Sequence, residues 1–279
     1  MDLVSIKDVR HPRSDNDIPP WRAGYGWLAG GTWLFSEPQW ALDTLIDLEG
    51  LGWPALQISP EGLEIAATCP IALVDRFVAP PEWTAAPLFA FCCQSLLASF
   101  KVKYSATVGG NICMSLPAGA LTSLAVALEA TYTLWPRDGE PRVVPSASFI
   151  TGNHANILAP GELMRSIHIP IAALTKRFAC RHMSLTHLGR SAALIIGTRG
   201  VDEAGFLLTI TAATPTPVQI HFAEMPTAEE LRQAIMDRID DEHGYFEDPH
   251  GRADYKRHLT RAFAEQIRVE LSAPTEAAA

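Results

Sequence analysis

Apolar residues recur along this chain in two registers, and the alternation between them predicts most of its elements. Leu88, Phe91, Cys92, Ser95 and Leu96 fall at helical spacing within Pro87 to Ser99, where proline is tolerated in the first turn. Leu121, Leu124, Ala125 and Leu128 repeat at the i, i+3, i+4, i+7 spacing of a second helix. Short apolar runs bounded by turn residues predict strands. Ala55 to Ile58 and Leu63 to Ala67 flank Pro60-Glu61-Gly62 as a hairpin, and Thr131 to Trp135 with Arg142 to Val144 flank Pro136-Arg137-Asp138-Gly139. Ile167 to Pro170 closes that region. Beyond it, Ala192 to Thr198, Phe206 to Ala212 and Val218 to Phe222 predict a separate three-stranded antiparallel sheet, with a turn at Val201 to Gly205.

At the C-terminal end, Thr227-Ala228-Glu229-Glu230 fits a capping box ahead of Leu231, Ile235 and Ile239. Tyr255, Leu259, Ala262, Phe263 and Ile267 mark a last helix before an alanine-rich tail. At the other end a strand through Trp27 meets Ala29-Gly30-Gly31-Thr32, a short helical or irregular link over Trp33 to Leu42, and a strand at Thr44 to Leu48. That order predicts a parallel pair joined by a crossover, with glycines where the first strand ends.

Composition narrows the function classes. The chain has 279 residues, 48% of them hydrophobic, which suits a filled core rather than disorder. The formal net charge is -9, with 22 Lys+Arg and no basic run, so nucleic-acid binding has no source of phosphate neutralisation. Met1 to Arg13 has no apolar segment of signal-peptide length, and the least polar stretch, Pro87 to Phe100, is shorter than a membrane span. The expectation is a cytoplasmic protein without membrane insertion. Cys69, Cys92, Cys93, Cys113 and Cys180 contain no CxxC pair, and the histidines show no HxxxH or HExxH spacing; neither a cluster cradle nor a metal site is expected.

Two glycine loops carry the candidate chemistry. Leu28-Ala29-Gly30-Gly31-Thr32-Trp33-Leu34 and Thr107-Val108-Gly109-Gly110-Asn111 each lead from an extended segment towards a helix. Glycine lets main-chain amides approach a phosphate, and a helix start adds unpaired N–H groups. Thr32 and Thr107 add hydroxyls, and Asn111 an amide. A glycine pair by itself also makes nothing more than a tight turn. Neither loop is GxGxxG or GxxxxGK[ST], so the ordinary dinucleotide and ATPase fingerprints are absent.

In order, AGGTxL, ATxGGN and a following LxxLxVALEA helix resemble the FAD-binding middle subunit of molybdenum hydroxylases, the family of xanthine dehydrogenase and carbon monoxide dehydrogenase flavoproteins. The likeness extends over nearly the whole chain, including Leu45 to Leu48, Leu63 to Thr68, Gly161-Glu162-Leu163, Ile167 to Pro170 and Tyr255 to Leu259. It implies an α+β, PCMH-type fold in which FAD lies between two subdomains, 1–54 and 55–170, followed by an α+β C-terminal domain, 171–279. The Ala29 to Leu34 loop would hold the pyrophosphate and Thr107 to Asn111 the phosphate, ribityl or adenosine part from the other side, with Leu28, Met114 to Gly119, Ser115 among them, and Leu163 along the cofactor.

The resemblance further implies a large molybdopterin-binding subunit and a small iron-sulfur subunit as partners, in a dimer of heterotrimers. The molybdenum cofactor and 2Fe-2S clusters would lie on those partners. Electrons would reach the FAD of this chain and leave to an external acceptor. Three positions depart from the family pattern: Trp33 and Ala120 stand where aspartates are usual, and His182 falls where a lysine is usual. Loss of two polar contacts, each worth about 1.5 to 3 kcal/mol, would weaken FAD binding tenfold or more unless other groups replace them. The alternative expectation is therefore a structural or assembly subunit with weakened FAD binding. His182 and His187 lie in the acid-free stretch Arg181 to Arg190, which reads either as a solvated loop or as positive charge near the reduced flavin.

Overall fold

In a computed structural model the protein is described over residues 3–202 and 205–273. The alanine-rich tail from 274 onward and part of the turn expected at 201–205 lie outside the described residues. Strands β1 (Asp8–Arg10), β2 (Tyr25–Leu28) and β3 (Thr44–Asp47) form a parallel sheet in the order β1-β3-β2. The central strand buries Thr44, Leu45 and Ile46. The crossover between β2 and β3 contains no helix. Its clearest turn is the bond from Phe35 N–H to the Gly31 carbonyl, 2.8 Å. The exposed β1 has no apolar periodicity, so the pattern of the chain does not announce it.

The middle region begins with the hairpin β4 (Leu56–Ser59) and β5 (Gly62–Ala66). Five helices follow: α1 (Ile71–Asp75), α2 (Pro87–Ser95), α3 (Phe100–Ser105), α4 (Val108–Cys113) and α5 (Ala120–Ala127). The chain then returns through β6 (Thr131–Trp135), β7 (Arg142–Pro145), the small hairpin β8 (Ile150–Gly152) and β9 (Ala155–Asn156), and β10 (Leu163–Pro170). An antiparallel sheet in the order β4-β5-β10-β6-β7 results, with β10 at its centre. Helix α2 ends at Ser95, four residues before the apolar run does, because Leu96 turns to extended backbone.

A short helix, α6 (Ile171–Leu174), leads into the last region. Its sheet has four strands and not the expected three: β11 (Arg177–Ser184), β12 (Ser191–Arg199), β13 (Phe206–Thr211) and β14 (Val218–Phe222), antiparallel in chain order. The added strand β11 takes in the first four residues, 181–184, of the acid-free stretch Arg181 to Arg190. Its apolar residues go to two different cores: Ala179 and Met183 join the terminal core, while Phe178 and Cys180 pack against the middle one. A strand with both faces used lacks the apolar-polar alternation by which strands are read. Its arginines are held by the chain's C-terminal helix, Arg181 reaching Gln266 and Glu270.

Helix α7 (Ala228–Ile235) starts with the expected capping box: Thr227 Oγ1 accepts from Glu230 N–H at 3.2 Å, and Glu230 Oε2 accepts from Thr227 N–H at 2.7 Å. It runs into a π-helical turn, Met236–Asp241, and then α8 (Ala253–Ser272) lies over β11 and β12. Asp240, in the π-helical turn, is an ion-pair partner of Arg257 and Arg261 on α8.

Helix α5 is buried on every side because it packs against α2 and α4 and also against β12 and β13 of the four-stranded sheet. Ser123 and Thr211 share a 2.6 Å hydroxyl contact, and Gln219 donates to the Val126 carbonyl at 2.8 Å. No helix among the described residues is long and apolar enough to cross a membrane.

Candidate cofactor site

A cleft of about 640 Å³ opens where the three regions meet, in the size range of ligand and cofactor pockets. One wall is the end of β2 and the loop that follows it, residues 27–34. Facing it are Ser95 to Ala98, Thr107 with Gly109 to Asn111, and part of the turn at 113–119. Leu158 and Glu162 to Met164 close one side, and Arg190 and Ser191 are the contribution of the last region.

The first glycine of each pair serves close packing. A Cβ on Gly30 would lie 1.8 Å from the Ser105 carbonyl oxygen, and one on Gly109 would lie 2.5 Å from Ala67 Cβ. Gly30 thus holds the first loop against the segment that opens the second. Gly31 has φ +67, a left-handed conformation suited to glycine.

The main-chain amides divide the two loops sharply. In the second, Val108 N–H donates to the Cys69 carbonyl, Gly109 N–H to the Ala67 carbonyl and Gly110 N–H to Thr107 Oγ1, at 2.9, 2.9 and 3.1 Å. The start of α4 therefore has no spare amide of the kind its sequence suggested. What it offers a ligand is the Thr107 hydroxyl proton and the Asn111 NH₂ group. The Asn111 oxygen is taken by Leu121 N–H, 3.1 Å, and so caps α5. In the first loop, by contrast, the amides of residues 30–34 have no partner among the described residues. Five consecutive N–H groups without an internal partner, on a glycine-bearing loop that lines the cleft, leave donors available to a phosphate-type anion.

Leu28, Ala29, Gly30, Gly31, Thr32, Trp33 and Leu34 all line the cleft, as do Thr107, Gly109, Gly110, Asn111 and Leu163. Val108 and Ser115 do not; both are buried behind it. Ser115, at φ +52, accepts from Asn156 Nδ2 at 2.9 Å and ties the turn to the β8–β9 hairpin. His182 lies outside the cleft beside a second cavity, with Nε2 2.9 Å from Ser191 Oγ. Burial pushes its imidazole below the ordinary histidine range, which favours the neutral ring and not a positive charge.

Sequence reasoning missed Ser95 to Ala98, Met164 and Ser191, which no local motif marks, and reached Arg190 only as the end of the acid-free stretch. Trp33 turns its ring towards His154, 5.7 Å between centroids.

Charge in the cleft is sparse. Glu37, Glu162 and Arg190 are its charged lining residues. Glu162 is buried, gripped by Arg142 at 2.7 Å through both carboxylate oxygens, and held below the usual carboxylate range by that arginine. On the wall of residues 27–34, the Trp27 indole N–H is buried without a partner among the described residues. A dinucleotide fits this set: free amides for its pyrophosphate, an orphan donor and apolar walls for its rings. The cysteines are poor nucleophiles, since burial pushes Cys69, Cys93 and Cys113 up to about 12. Among the described residues no group of three or more His, Cys, Asp or Glu could hold a metal ion.

Residues 22–172 match the family described as the FAD binding domain in molybdopterin dehydrogenase, and the chain belongs to that family. It is 27% identical over 227 residues to xanthine dehydrogenase/oxidase of Rattus norvegicus, covering 73% of this chain and 17% of that protein. It is 31% identical over 151 residues to the carbon monoxide dehydrogenase medium chain of Afipia carboxidovorans, covering 52% of this chain and 50% of that one. The matches thus span half or less of these relatives. Quinoline 2-oxidoreductase from Pseudomonas putida 86 has the same fold, with a TM-score of 0.76 at 17% identity over 98% of both chains.

Proposed function

We propose that this chain is the FAD-binding electron-transfer subunit of a molybdenum-containing hydroxylase or dehydrogenase. The observation that carries the reading is the run of unpartnered amides at 30–34 inside a cleft of cofactor size, in a chain of the FAD-binding family. In this reading residues 28–34 bind the pyrophosphate. Thr107, Gly109, Gly110, Asn111 and Leu163 line the rest of the cofactor, while Val108 and Ser115 support that wall from behind. The segments 1–54, 55–170 and 171–279 act as two clasping subdomains and a covering domain. All strand pairing stays within those limits.

FAD supplies the redox chemistry, and the protein supplies position, exclusion of water and electrostatics. Gly30 brings the two loops together, the amides hold the anion, and the Arg142–Glu162 pair keeps the adjacent wall neutral. Partner chains, a large molybdopterin-binding subunit and a small iron-sulfur subunit in a dimer of heterotrimers, would deliver the electrons, and the complex would work in the cytoplasm. The medium-chain relative supports the multi-subunit arrangement. An assembly subunit that has lost FAD is the weaker reading, because the cradle amides are not consumed by internal bonds as those of α4 are.

Copurification from the native source, with flavin, molybdenum and iron assayed on whatever accompanies the chain, tests the whole proposal. All three should be present. A partnerless chain that shows no flavin absorbance after FAD is added would overturn it.

A further inference from the structure

Resting on the FAD reading above, we propose that Arg190 is the counter-charge for the anion that forms on the flavin ring when it is reduced, and so sets the potential of the bound cofactor. Among the described residues Arg190 is the one cation lining the cleft. It is half-buried, and among the described residues it makes no ion pair, hydrogen bond or ring contact. The other arginine beside the cleft, Arg142, is committed to Glu162. An unpaired guanidinium on an apolar wall is a resource for an anionic ligand.

A bound FAD presents two anions, the permanent pyrophosphate and the charge that appears at N1–C2=O on reduction. The first is served by the amides of 30–34, whose loop abuts Ser105 and Ala106 at the end of α3. Arg190 enters from another region of the chain, beside the first residue of β12. Its neighbour Ser191 lies 3.5 Å from the Ser95 carbonyl, where α2 ends. Along the chain these two contacts are separated by the turn at 96–99 and by α3, so the amides of the first loop and Arg190 belong to different parts of the cleft lining.

On reduction the ring takes up two electrons and one proton, leaving one net negative charge. The electrons come from an iron-sulfur partner, or from dithionite in the test, and the proton from solvent. Arg190 binds that reduced anion and leaves the neutral oxidised ring nearly unaffected.

The test measures, on the full chain, the midpoint potential of bound FAD in dye-equilibrated dithionite titrations and the Kd of oxidised FAD, for wild type, Arg190→Gln and Arg190→Lys. Arg190→Gln should bind oxidised FAD within about threefold of wild type and lose about tenfold of its preference for the reduced form, lowering the potential by about 30 mV. Arg190→Lys should recover most of that shift. An unchanged potential with oxidised FAD bound tenfold more weakly would overturn the proposal and move Arg190 to the pyrophosphate. No change in either quantity would make it a solvated side chain. A wild-type chain that takes up no FAD would refute the parent reading instead.

Discussion

Gly30→Ala is the sharpest probe of the cleft. A Cβ there would lie 1.8 Å from the Ser105 carbonyl oxygen, 2.7 Å from its carbon and 3.1 Å from Ala106 Cα. All three are backbone atoms, so no side chain can swing away, and the loop must retreat by more than about 1 Å to reach ordinary contact. Overpacking of this kind costs about 1–3 kcal/mol in stability. The larger effect falls on the ligand, because the retreat carries the amides of 30–34 out of hydrogen-bonding range. Each such bond to a phosphate is worth about 1.5–3 kcal/mol, so losing one weakens FAD binding about tenfold to a hundredfold. The assay is titration of apo-protein with FAD, followed by flavin fluorescence, with circular dichroism as the folding check. Gly152→Ala is the control, its Cβ meeting Ala155 Cβ at an unstrained 3.7 Å, and it should bind FAD as wild type does. A folded Gly30→Ala protein with wild-type affinity would refute the cradle.

Other outcomes follow from the same geometry. Asn111→Ala should lose about 1 kcal/mol with the cap on Leu121 N–H and also bind FAD more weakly, whereas Asn111→Asp, which keeps the capping oxygen, should retain stability in urea unfolding yet bind FAD more weakly. Arg142→Met leaves the buried Glu162 carboxylate without its guanidinium and should cost about 1–3 kcal/mol at pH 7. Because Arg142 holds Glu162 below 4.5, the pair's stabilisation is complete above that pH and fades as pH falls through the lowered value; the gap between wild type and variant in urea melts should therefore narrow in acid. Lys256, fully buried, donates to Asp248 at 3.0 Å and to the Ala212 carbonyl at 3.2 Å. Lys256→Met should destabilise by about 1–3 kcal/mol, and adding Asp248→Asn should restore part of that loss in a double-mutant cycle. Strict additivity would sink that account.

The elements legible in the chain are those whose pattern is local. The hairpin at 56–66, the capping box at Thr227 and Glu230, and the helix over 120–127 each declare themselves within a dozen residues. The first glycine loop is legible for the same reason, since glycine's freedom belongs to the residue. Strand β11 is not, because Phe178 and Ala179 answer to different cores on opposite faces of one sheet. Helix α5 reads as a one-sided stripe, yet the polar Thr122 and Ser123 are buried under a sheet assembled almost a hundred residues later.

The sequence by itself therefore determined the glycine turns, the local elements and the absence of a phosphate-binding fingerprint of the ordinary kinds. Tertiary structure alone decided which loop has amides to spare. Those of Val108 and Gly109 are consumed by the carbonyls of Cys69 and Ala67, about forty residues away, while those of 30–34 meet no carbonyl among the described residues. The two loops are alike in their glycines and differ in what packs against them, because a hydrogen-bond donor is free only when folding brings no acceptor to it.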